Sequence, residues 1–329
     1  MDKRLIFHPR KFNSQAQRDQ NILIIGETTL IESILIYGAM ASGVLALLAL
    51  GFTLIYGVAE VVNMAHGALY MSGTYIFWLL TAPTLTGLLI KVAPIELSLP
   101  IALIISVIIT GILGAIVYRL TIHPILEDLL AVLIVTVGVT MLFQSIIAIQ
   151  FSAARRSIPY LIEGNTTILG VTVTYSKILS FVVSLIIFAG LFIFITKTKI
   201  GTAMRAVAQD REVAMLMGVN NERLYMLTMG IASALATIAG ILTTAEGFAD
   251  PYMWSTPLYF SFAIVIVGGI GSIKGSLIGA FIVGYAGETF VQLAGEVGFL
   301  RGAVALAIMI IVLVLRPKGL FGRRIEMEE

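Results

Sequence analysis

From residue 34 to residue 315 the sequence repeats one theme, an apolar run about as long as a bilayer core is thick followed by a polar connection. A helix needs ~20 apolar residues to cross that core. Runs at 34–57, 97–118, 129–150, 178–195, 224–245 and 299–315 approach or reach this length, and shorter ones lie at 68–80, 258–270 and 276–293. Backbone that faces lipid must satisfy its own hydrogen bonds, which a helix does. The expected fold class is therefore all-α, a polytopic membrane helical bundle of about eight or nine crossing segments, some of them broken.

Composition agrees. Only 12% of residues are charged and 58% are hydrophobic, whereas a soluble domain carries about 25% charged residues. A chain so poor in charge cannot cover a water-facing surface of its own size. There is no cysteine, which excludes disulfides, thiolate metal sites and cysteine nucleophiles. His8, His66 and His123 lie far apart with no H-E-x-x-H frame, so no metal site and no cofactor is expected. The first long apolar run starts well inside the chain and lacks a small-residue cleavage site, so it does not read as a secretory signal.

Lys and Arg accumulate in cytoplasmic connections, which gives the orientation. Residues 197–223 hold Lys197, Lys199, Arg205, Arg211 and Arg223, and the tail holds Arg316, Lys318, Arg323 and Arg324. Both are placed inside. Residues 246–257 and 295–298 carry acids without Lys or Arg and are placed outside. Alternation then puts 119–128 and the break at 63–67 inside. Two features strain this order. The outer connection 151–177 contains Arg155 and Arg156, and the N-terminal arm carries Lys3, Arg4, Arg10, Lys11 and Arg18 although alternation puts it outside. Either an extra crossing exists there or the charge rule fails. Residues 1–29 read as a polar basic arm, loosely ordered up to about residue 20; 30–322 as one transmembrane unit; and 323–329 as a charged cytoplasmic tail.

A short internal echo, polar or glycine break followed by a short helix, occurs near 63–67 and again near 271–275. Paired interrupted helices point to a transport pathway. Asn63, His66 and Gly67, with Gly271, Lys274 and Gly275, are the candidates for that pathway or its gate. Asn63 and His66 have a second reading, since polar side chains at a break also bond the backbone freed there. Glu288 and Arg301 are the only charges well inside apolar runs. They fall toward the outer side of consecutive helices and are expected to pair and hold them together.

The inner connection between 201 and 223 reads as an amphipathic helix. Met204, Val207, Ala208, Ala214 and Met215 share one face, broken by Arg211, and Arg205, Asp210 and Glu212 lie opposite. Gly218 suits its C-terminal end. Such a helix can dock into a groove of a soluble partner or lie on the membrane surface.

Resemblance separates these. Glu212-x-Ala214-x-x-x-Gly218 resembles the E-A-A-x-x-x-G coupling loop of ABC importer permeases, with Val213 in place of the first Ala. Gly51-Phe52-Thr53-Leu54-Ile55-Tyr56-Gly57, then Val62-Asn63-Met64-Ala65-His66-Gly67-Ala68-Leu69 and Gly73-Thr74-Tyr75, resembles the LivH-type branched-chain amino-acid permeases. So do the stretch from Val267-Gly268-Gly269-Ile270-Gly271-Ser272-Ile273-Lys274-Gly275 to Ala280, and Arg316-Pro317-Lys318-Gly319-Leu320-Phe321-Gly322. The likeness runs in family order over about 30–322; the basic arm before Leu30 has no place in it.

The resemblance implies the pore-forming subunit of an ATP-driven importer for Leu, Ile, Val or similar small amino acids. It implies two cytoplasmic ATPases that meet the loop at Glu212, Ala214, Gly218, Arg205 and Arg211, a second homologous permease, an extracytoplasmic binding protein, and no nucleic acid. The chain has no G-x-x-x-x-G-K-[ST] sequence, so ATP hydrolysis is expected on the partners and the chain is not itself an enzyme. The Gly268-Gly269-x-Gly271 run reads as close helix packing. The alternatives are a urea or short-amide permease of the same type and an ATPase-independent channel or secondary carrier, which would need no coupling loop and would bury more acids if proton-driven. A membrane enzyme lacks paired acids, a metal frame or a nucleophile–base constellation within the runs.

Overall fold

The computed structural model describes residues 10–81, 97–245 and 247–322, with side chains described from residue 30 onward except 296 and 299. The tail at 323–329 and the first residues of the arm lie outside the described residues. Among the described residues eleven α-helices make up most of the structure: α1 (Arg10–Ala59), α2 (His66–Thr81), α3 (Leu99–Val117), α4 (Leu129–Phe151), α5 (Tyr175–Lys197), α6 (Lys199–Val207), α7 (Arg211–Leu216), α8 (Asn221–Thr244), α9 (Ser255–Gly268), α10 (Ile273–Ala294) and α11 (Arg301–Leu315). The strands are short: β1 (Arg156–Ser157) pairs antiparallel with β4 (Phe248–Ala249), and β2 (Asn165–Ile168) with β3 (Val171–Thr174).

The chain is a helical membrane bundle. Among the described residues 6 helices are long and apolar enough to cross, from Leu30–Ala59 to Ile273–Ala294, and Ser255–Gly268 and Arg301–Leu315 are shorter. Helix α2, with 16 residues, is also shorter than a full crossing. The expected eight or nine segments thus divide into complete spans and partial ones. The rows Ile104, Ile108, Ile112, Ile116 on α3 and Leu130, Ile134, Met141 on α4 are exposed, an apolar surface suited to lipid.

Close contacts between small residues hold the spans together. Helices α1 and α10 run antiparallel, with Gly38 against Tyr285, Ser42 against Gly284, and the hydroxyls of Thr53 and Ser276 2.5 Å apart. Gly111 of α3 meets Gly230 of α8 backbone to backbone. Dispersion over such close approaches does the work that water does in a soluble core.

Of the two features that strain the charge rule, the N-terminal one lies on α1, which runs from Arg10 to Ala59 without a turn, so an extra crossing has no place between those residues. The Tyr37 hydroxyl donates to the Thr172 carbonyl at 2.6 Å, which sets the start of the Leu30–Ala59 span beside the β2–β3 hairpin. Arg156, the other exception, donates to the Phe151 carbonyl at 2.5 Å and stacks over Trp78 at 5.3 Å. Its charge is bound up in sealing the outer end of α2 and α4.

Candidate translocation and coupling site

Helix α1 ends at Ala59, and the chain does not turn away from the bundle there. Glu60 turns the chain with a positive φ of 56°, residues 61–63 run back into the bundle without regular structure, 64–65 form a turn, and α2 starts at His66 beside Leu48. Leu48 lies ~16 Å up α1 from Ala59 at 1.5 Å per residue. Several of the freed backbone groups find partners. The Asn63 Oδ1 accepts from the Ala65 N–H at 2.9 Å, the Met64 N–H donates to the Thr136 hydroxyl at 3.2 Å, and the Thr140 hydroxyl donates to the Met64 carbonyl at 3.2 Å. His66 Nε2 sits 3.1 Å from the Leu48 carbonyl oxygen, an arrangement that needs the proton on Nε2. Asn63, fully buried, thus bonds the break itself, and the equally buried His66 ties the start of α2 to α1.

A second re-entry comes from the opposite side. After α8 the chain passes β4, turns at Asp250, and starts α9 at Ser255. A side chain at Gly67 would collide with the Trp254 carbonyl and meet Leu258 at 3.3 Å, so the starts of α2 and α9 touch. Trp254 Nε1–H donates to Gln144 of α4 at 2.5 Å. The partner of the break at 63–67 is therefore the turn at 250–254. The stretch 271–275 is a different object, a tight turn at the inner face. Gly268 and Gly275 pack backbone to backbone, the Ser272 hydroxyl caps the Gly275 N–H at 3.1 Å, and Lys274 is exposed on the first turn of α10. The glycine run packs helices closely, as its sequence suggests. The tail motif closes the same corner: the N–H groups of Leu320 and Phe321 donate to the carbonyls of Val267 and Gly268, partners that the last turn of α9 otherwise lacks.

The inner amphipathic segment is two helices, not one. Asp210 breaks it, because its carboxylate accepts from the N–H groups of Glu212 and Val213 and so starts α7 afresh. Glu212 is exposed in the first turn, where a carboxylate suits the helix dipole. Gly218 has φ +88°, and the bonds Gly218 N–H to Met215 and Val219 N–H to Ala214 form a Schellman ending. Ala214 points inward rather than toward a partner. It packs with Met204, Val207, Leu224 and Tyr225 in one buried cluster that also holds Val61 and Ala65 of the first re-entry. The exposed edge is Val213, Met215, Leu216 and Met217, of which Leu216 is 87% and Met217 81% exposed. Arg211 is exposed, and its carbonyl accepts from the Asn221 side chain at 3.0 Å, tying α7 to α8.

Between α6, the end of α1, the α9–α10 turn and the tail lies a cavity of about 610 Å³. Arg205 and Gly271 line it; Asn63, His66, Gly67, Lys274 and Gly275 do not. Glu60 and Lys318 also line it, and sequence reasoning passed over both because each looks like an ordinary loop charge. Far from it, Arg301 Nη1 lies 3.9 Å from Glu288 Oε2, and its guanidinium lies over Phe260 at 5.4 Å.

Partial helices that start against one another inside a lipid-facing bundle, with a short helix presented at the inner face, define a membrane permease. A model of the family described as branched-chain amino acid transport system / permease component matches residues 34–313, and the chain belongs to that family. It is 31% identical over 297 residues to the high-affinity branched-chain amino acid transport system permease protein BraD of Pseudomonas aeruginosa, covering 88% of this chain and 95% of the relative. Identity to LivH of Escherichia coli K12 is 28% over 299 residues, covering 87% and 94%. The LivH protein of Methanocaldococcus jannaschii is 30% identical over 318 residues, covering 91% and 93%. No solved structure matches the chain. The chain is a transport permease subunit, a multi-pass protein of the cytoplasmic membrane.

Proposed function

We propose that the chain is the pore-forming subunit of an ATP-driven importer that moves branched-chain amino acids, or similar small amino acids, into the cell. Its partners in this reading are two cytoplasmic ABC ATPases, a second homologous permease and an extracytoplasmic binding protein. The observation that carries the reading is the anchoring of α7. Its outer edge presents four exposed apolar side chains beside basic residues, while Ala214 on its inner edge is 4% exposed and shares a buried cluster with Val61 and Ala65. A force applied to α7 by a partner therefore reaches the first re-entry through van der Waals contact, without a flexible link. The names of the relatives support the substrate class.

The test replaces Leu216 and Met217 with Asp, singly and together, leaving the buried edge intact. The protein should remain in the membrane, co-purification of the ATPases should fall, and uptake of L-leucine should fall with it. Normal co-purification and uptake in the double variant would show that α7 merely lies on the membrane. Accumulation against a gradient without the ATPases would replace the reading with a secondary carrier, and uptake of urea in preference to leucine would change the substrate class.

A further inference from the structure

The inner cavity is left unused by the coupling reading. At about 610 Å³ it falls within the ~300–1,000 Å³ range of small-molecule sites. Ile195 of α5, Met204 of α6 and Ile266 of α9 supply apolar wall. The rim carries charges of both signs: Glu60 at the end of α1, and Arg205 and Lys318 from α6 and the tail, all with exposed side chains. Among the described residues neither Glu60 nor Lys318 enters an ion pair. Helix α10 opens into the same space through Ser272 and Ile273, so first-turn N–H groups and the positive end of a helix dipole join the basic side.

We infer that this cavity binds a free α-amino acid from the cytoplasmic side. The carboxylate faces Arg205, Lys318 and the start of α10, the ammonium faces Glu60, and an aliphatic side chain rests on Ile195, Met204 and Ile266. Each group of a branched-chain zwitterion meets its complement. A phosphate or a nucleotide does not, because Glu60 opposes a multiple anion. The inference rests on the amino-acid reading above and extends it to the discharged product. Bound product joins α6, which leads into α7, to the ends of α1 and α10. Accumulated product then opposes movement of α7 and slows import from within.

The complete transporter, purified without its binding protein, is titrated with radiolabelled L-leucine. Saturable binding is expected. Leucinamide, which lacks the carboxylate, and 4-methylpentanoate, which lacks the ammonium, should each compete about fivefold less well or worse, the loss expected for one partly screened charge-assisted contact. Glu60→Gln and Lys318→Gln should each weaken leucine binding by a similar factor of about five, while Lys318→Arg retains it. Both positions are exposed, so the variants keep the fold. Unchanged affinity in both charge-removing variants overturns the inference, as does displacement of leucine by inorganic phosphate, which would make this an anion site. Absence of saturable binding to a complex that still imports leucine with its partners overturns the inference and leaves the import reading standing. Failure of the same complex to import leucine at all overturns both.

Discussion

The two partial helices meet at Gly67 and Trp254, but they are held in different ways. The approach to α2 is largely buried: Val61, Asn63 and Ala65 are shielded, and threonines of α4 take up both backbone groups of Met64. The approach to α9 is looser. Tyr252 is 55% exposed, and the turn relies on Asp250, one bond from Trp254 to Gln144, and the short β1–β4 pairing at the outer surface. The first re-entry shares its buried cluster with α7; the second packs with residues at the outer ends of α2 and α4. One side is therefore wired to α7 and the other to the far ends of α2 and α4, and the two meet where Gly67 faces Trp254. In a permease that opens to each side in turn, this contact is where the two controls would act against each other.

The largest effect is expected at the contact itself. Gly67→Val drives a branched side chain into the Trp254 backbone, which cannot swing aside as a flexible side chain would. Overpacking against rigid atoms costs typically 1–3 kcal/mol and here should reach the upper end, ~3 kcal/mol. Thermal unfolding of the purified protein and leucine uptake should both show it. Gly138→Ala is the control, because a β-carbon there meets nothing within 4 Å. It should leave both readouts near wild type or slightly raise stability. Equal damage from both substitutions would mean that α2 and α9 do not depend on their contact.

Next come the bonds that distinguish the two approaches. Thr136→Val and Thr140→Val keep shape and remove the partners of the Met64 N–H and carbonyl. Each should destabilise by about 1–2 kcal/mol, since a buried backbone group is left without a partner. Trp254→Phe, on the looser side, frees a half-buried Gln144 that water can satisfy, and should cost below ~1 kcal/mol. If the outer substitution proves the more damaging, the contrast between the approaches is reversed.

A smaller effect is expected where α7 joins the wired side. At φ +88° with open space around it, Gly218 is constrained by its backbone alone. Gly218→Val should cost about 1–2 kcal/mol of local strain, and Gly218→Asn clearly less, because Asn tolerates the left-handed region. The measurement is ATPase co-purification at equal membrane levels, with the order glycine, asparagine, valine expected. Identical retention of the ATPases by all three would detach the helix ending from partner binding.

How far the sequence revealed this arrangement depends on the length scale of each signal. Spans were legible because lipid acts on some twenty residues together and leaves a compositional mark. The break at 60–67 was legible because polar residues interrupt such a run. A second break was read at 271–275, where glycines crowd, but the turn before α9 was not, because Asp250, Pro251 and Tyr252 read as any outer loop and nothing local records that the chain dips inward after them. Thr136 and Thr140, one turn apart within a Leu/Ile/Val run, carried a usable sign, but helical threonines commonly bond their own preceding turn, as both also do here. The amphipathic segment was read as one helix because its apolar spacing nearly continues across Asp210. The capping character of Asp210, with Glu212 two residues later, was the overlooked mark of a new start. Ala214 was then aimed outward for lack of knowledge of what lay behind it.

The smallest effect tests the lateral support of α9. Glu288 and Arg301 were paired on sequence grounds as charges stranded in apolar runs, and the structure sets them 3.9 Å apart with Arg301 also lying over Phe260 of α9. That separation is too long for a strong charge-assisted hydrogen bond, and the two side chains are 31% and 12% exposed, so the attraction is only partly shielded from water. Glu288→Gln should therefore cost little, because Arg301 keeps its aromatic contact and a polar neighbour. Arg301→Met should cost more, since it removes the cation from Phe260 and leaves the less exposed carboxylate without its partner. Their coupling, measured as a double-mutant cycle of thermal stability, should be about 0.5–1 kcal/mol. The double variant should then be less impaired than the sum of the singles. Strict additivity would mean that α9 is held on this side by Arg301 and Phe260 alone, with Glu288 a bystander.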